Sequence, residues 1–155
     1  MRRLSYLLLL FVPLIHADAA DFALRFDMLR PSLERLTGDD RPSVDAAIEM
    51  IRQGEHQAAL VRLAAARERN PKNSSLGILS AYALLQLGNL AGAFDQARAA
   101  EKAPDHNVYT CWFLAKVALL KGDRSTCQRE LGHVRSSKQL AAEAGELQAE
   151  LDRKR

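Results

Sequence analysis

The sequence predicts an all-α protein built of repeated helical hairpins, and three observations carry that expectation. Ala and Leu dominate, β-branched residues are sparse, and only five prolines interrupt the 155 residues. Ala and Leu lose little rotamer freedom in a helix, so this composition favours one. Gly54, Gly88 and Gly122 stand 34 residues apart. Small or apolar residues recur in register with them: Ala47, Ala81 and Ala115; Ile51, Leu85 and Leu119; Ala59, Ala93 and Cys127; Leu63, Ala97 and Leu131; Ala66, Ala100 and Val134. A fixed period of this length marks an array of two-helix units.

Within the second unit, Leu76, Ile78, Leu79, Tyr82, Ala83, Leu84 and Leu85 form an apolar helix that Gly88-Asn89 ends, since glycine readily takes the left-handed conformation that terminates helices. Leu90 to Lys102 reads as the second helix, stopped by Pro104. Alanine facing alanine, as Ala47 with Ala59 and Ala81 with Ala93, lets antiparallel helices approach closely. Asn73 and Asn107 also align, each following a proline-containing turn with Pro71 or Pro104. One hairpin cannot bury its outer apolar face, so the units must stack.

These positions resemble the tetratricopeptide repeat (TPR) pattern. Ala47, Gly54, Ala59, Ala66 and Pro71 match it in the first unit; Ala81, Gly88, Ala93, Ala100 and Pro104 in the second; Ala115, Gly122 and Val134 in the third, where Cys127 replaces an alanine. Ser43, Gly77 and Cys111 occupy the column that holds a large aromatic in that family. The resemblance covers Asp40 to about Ser137. It implies a right-handed α-α superhelix of about three hairpins, at residues 40–73, 74–107 and 108–137, with a C-terminal capping helix over 138–155.

The ends are expected to shield the array. Ser136 and Gln139 are spaced as a capping box, and Leu140, Ala144, Leu147 and Leu151 then share one helix face. Residues 20–39 form an N-terminal segment in which Phe22, Phe26 and Leu29 make a short amphipathic stripe before Pro31; it either packs on the first unit or lies loose. Ahead of it, Met1-Arg2-Arg3, the apolar run Leu4 to Ile15 and Ala17-Asp18-Ala19 read as a secretory signal peptide over residues 1–19, cut after Ala19. The apolar run is shorter than the roughly 20 residues a spanning helix needs. The expected product is exported, to a bacterial periplasm or beyond the cell, with no transmembrane segment after cleavage.

Charge and motifs exclude several classes. The net charge is +3, falling to +2 without Arg2, Arg3 and Asp18, and basic and acidic residues are interspersed, so no nucleic-acid stripe is present. His56, His106 and His133 lack ligand spacing, and no G-x-S-x-G, phosphate loop or dinucleotide fingerprint occurs, so no catalytic residue, metal or cofactor is expected. Cys111 and Cys127 lie on the two helices of the third hairpin; buried free thiols, a disulfide and a reactive pair all remain open for them.

The resemblance implies that first helices line a concave groove, which on this chain carries Val44, Ile48, Ile78, Tyr82, Tyr109, Trp112 and Lys116. Either a protein or peptide partner occupies that apolar groove, or it is covered internally by the Phe22–Leu36 segment or the capping helix. The function expected is a non-enzymatic scaffold or adaptor. The alternative within the same class is a periplasmic chaperone or assembly factor for an envelope complex; a small enzyme with an unrecognised site is the alternative of another class.

Overall fold

The computed structural model describes residues 23–154, so the leader and Phe22 lie outside the described residues. Eight α-helices follow one another: α1 (Phe26–Leu33), α2 (Asp40–Arg52), α3 (His56–Arg69), α4 (Ser74–Gln86), α5 (Leu90–Glu101), α6 (Val108–Lys121), α7 (Arg124–Val134) and α8 (Ala141–Arg153), the last preceded by a 3-10 turn at Lys138–Leu140. No strand occurs among the described residues. The fold is all-α. Helices α2, α4 and α6 each start 34 residues after the previous one, and so do α3, α5 and α7. The period seen in the glycines is thus a period of the helices.

The cause is local chemistry repeated three times. Gly54, Gly88 and Gly122 end α2, α4 and α6 with φ of 80°, 77° and 83°. At each, the glycine N–H donates to a carbonyl three residues back, and the next N–H reaches five back: Glu55 to Met50 at 2.8 Å, Asn89 to Leu84 at 2.9 Å, Asp123 to Ala118 at 2.8 Å. That is the Schellman closure, which needs a left-handed residue. The following helix then starts on a polar residue; Asn89 and Asp123 accept hydrogen bonds from Gly92 and Thr126 N–H.

Hairpins α2/α3, α4/α5 and α6/α7 pack internally, and α3 on α4 and α5 on α6 join them into one stack. The aligned seam residues Ala47, Ala59, Ala81, Ala93, Ala115 and Cys127 are all fully buried. Gly77 extends the seam: a Cβ there would lie 2.8 Å from Ala100 Cβ, so α4 and α5 approach more closely than two alanines allow. In the second unit, the position that lacks the family's aromatic is therefore a close contact.

At the C-terminal end, Leu140, Ala144, Leu147 and Leu151 are buried as expected, and α8 packs on α7 and α6. The capping box at Ser136 and Gln139 is not formed. Ser137 precedes the 3-10 turn without a side-chain cap, and α8 begins only at Ala141. A tight turn is needed to fold α8 back with Leu140 inward, and this leaves Ser136 outside the helix. At the other end α1 runs two residues past Pro31, which is exposed. A proline there removes one hydrogen-bond donor without meeting a packed neighbour.

Candidate functional site: the inner face and the helix it holds

Helices α2, α4 and α6 form one face, and α1 lies across it. Leu29 and Leu33 of α1 are 1 % and 4 % exposed and join the core of the array. Isolated helices of two turns are marginal in water, so contacts with the array must hold α1.

Most of the polar contacts go to its main chain. The Arg25 N–H donates to the Tyr109 hydroxyl oxygen at 3.1 Å. Asn107 Nδ2 donates to the Met28 carbonyl at 2.7 Å, Ser75 Oγ to Leu29 at 3.0 Å and Asn73 Nδ2 to Ser32 at 2.8 Å. Arg41 Nη1 reaches the Leu33 carbonyl at 3.4 Å. Asn73 and Asn107 serve twice: their Oδ1 atoms cap α4 and α6, accepting from Leu76 N–H and from Tyr109 and Thr110 N–H. An amide has two donors and an acceptor, so one side chain can end a helix and grip a neighbour.

Side-chain contacts fix the ends of α1. Ser32 Oγ donates to Asp105, whose other oxygen accepts from Ser74 N–H at 2.8 Å. Arg25 bridges Asp27 and Glu143, tying the start of α1 to α8. The Arg52 guanidinium sits 4.8 Å from the Phe26 ring centre, a cation–π contact from α2.

Of the seven residues expected to line an open groove, Val44, Ile48, Ile78 and Tyr109 are buried. Tyr82, Trp112 and Lys116 are half-buried at the margin. Tyr109 and Trp112 stack at 5.4 Å, and His56 meets Tyr82 edge-on at 6.1 Å. Burial raises the Tyr109 hydroxyl above the usual phenol range. Lys116 Nζ lies 2.5 Å from Glu150 of α8, so the one cation among the seven is paired. The strip exists but is not an open surface: α1 covers its centre and α8 its edge. The sequence reading missed Asn73, Asn107, Ser75 and Arg25 as members of the site. The two asparagines carried a signal, their 34-residue spacing, which had been assigned to turns alone.

Cys111 and Cys127 are free and buried. Burial pushes both thiols up to about 11, with Glu130 acting in the same direction on Cys111, so neither is a ready thiolate. Among the described residues no three His, Cys, Asp or Glu side chains are placed to hold a metal, and no helix is long and apolar enough to cross a membrane.

The fold and site define a class: an all-α stack of 34-residue helical hairpins whose inner face holds a short helix. No family model matches the chain, and no curated protein matches it.

Proposed function

We propose that this chain is an exported, non-enzymatic scaffold or adaptor of tetratricopeptide type, its hairpins wound as a right-handed superhelix. The inner face of α2, α4 and α6 holds a protein or peptide partner. One observation carries the reading. Five side chains from α2, α4, α6 and the caps before them bond to the main chain of α1. Grooves take short amphipathic helices through apolar anchors, and these main-chain bonds add contacts that do not depend on the bound side chains. Tyr82 and Trp112, with amphipathic rings at the margin, are the residue types that dominate binding hot spots.

Photo-crosslinking in the producing cell tests this. A photoreactive amino acid at Tyr82 or Trp112 should give one discrete adduct with another protein, whereas the same group at exposed Arg62 on α3 should give none. Adducts only from Arg62, or none from either margin position, would overturn the reading.

A further inference from the structure

Helix α1 has the form of a ligand. Its apolar residues Phe26, Leu29 and Leu33 follow the i, i+3, i+7 spacing by which a short amphipathic helix docks in a groove. Its polar bonds to the array are chiefly through main-chain groups, which any helix possesses. Only the Ser75 bond to the Leu29 carbonyl is fully buried; the others lie at partly water-accessible positions. The segment joins the array through residues 34–39 alone, where Gly38 takes φ of 58°. Helix α1 packs chiefly on α4 rather than on α2, its neighbour in sequence, which it meets through Arg41 and Arg52.

We infer that α1 is an exchangeable occupant, and that the partner is a short amphipathic helix with the same anchor spacing, which takes its place. This rests on the adaptor reading above and adds the partner's chemistry and its regulation. The groove side chains ask little of the partner's sequence: anchors at i, i+3 and i+7 for the sites of Phe26, Leu29 and Leu33. A cation just before the first anchor would meet Glu143, as Arg25 does. A tether of a few residues holds α1 at an effective concentration of about millimolar, so the resting chain is closed to weak helices. A ligand for a state populated only in part binds more weakly by that fraction, and weakening the internal occupant restores the affinity.

The probe is a fluorescent peptide with the sequence of residues 23–36, titrated into the full chain. Leu29→Ala with Leu33→Ala removes two anchors from α1 and leaves every groove residue in place. This variant should bind the peptide about tenfold or more tightly than the wild-type chain, and saturating peptide should restore its lowered melting temperature. Adding Asn107→Ala should then reduce peptide affinity, because the amide that holds the Met28 carbonyl is gone, while a scrambled peptide should not bind. Equal affinity for wild type and variant, no binding to the variant, or no recovery of its melting temperature would overturn the inference, since α1 would then be a fixed part of the core. The two failures separate: crosslinks at Tyr82 or Trp112 without peptide exchange leave the adaptor standing, and exchange without crosslinks leaves a groove with no partner in that cell.

Discussion

Replacing Gly88 by alanine isolates the backbone term that shapes the repeat. Its φ is 77°, and a Cβ built there meets no heavy atom within 4 Å. Steric contact therefore contributes nothing, and the cost is the left-handed backbone alone, about 1–2 kcal/mol for an L-residue. Gly145 is the counterpart. It lies inside α8, is exposed, has no positive φ, and also has nothing within 4 Å of its Cβ. Alanine there should stabilise by about 0.5–1 kcal/mol, because a helical glycine is entropically costly. The two variants should differ by about 2 kcal/mol, or roughly 6–10 °C in a two-state melt of a domain this size. Thermal unfolding followed by circular dichroism at matched concentration reads the difference. If Gly88→Ala melts at or above Gly145→Ala, the Schellman account of the repeat turn is wrong.

Other outcomes follow from the same geometry. Gly77→Ala should destabilise despite its helical backbone, because its Cβ would press on Ala100 at 2.8 Å; overpacking of about 1–3 kcal/mol exceeds a propensity gain of about 1, and a paired Ala100→Gly should recover part of the loss in the same melt. Hydrogen bonds from Arg69, then from Asn70, hold the Asp40 carboxyl below the usual range. A depressed folded pKa stabilises above the unfolded value of about 3.9 and is lost as the pH falls through the folded value. Asp40→Asn should therefore lower the melting temperature at pH 7 and leave it nearly unchanged at about pH 2. Cys111 and Cys127 should resist alkylation at pH 8 in the folded chain and both react in denaturant, counted by mass; fast native labelling would contradict buried thiols whose pKa is pushed up to about 11. Export should leave a mature chain that starts at Ala20, and N-terminal sequencing that finds Met1 instead would reject the leader.

Residue spacing alone determined much of this protein. The 34-residue period, the glycines that close α2, α4 and α6, the buried alanine seams and the inward face of α8 were all legible. Each rests on an interaction between residues near in sequence, so its signature lies within one repeat and recurs in the next. The same proximity is why the failure was small and local: Ser136 looked like a cap until a 3-10 turn took its place. Tertiary structure alone decided what covers the inner face. The stripe of Phe22, Phe26 and Leu29 marked an apolar side for this segment, but an apolar side has no address. Its position was set by Asn73, Ser75, Asn107, Arg41 and Tyr109 meeting main-chain groups of α1. Main-chain carbonyls are the same in every residue, so bonds to them leave no trace in a sequence until the fold brings the two sides together.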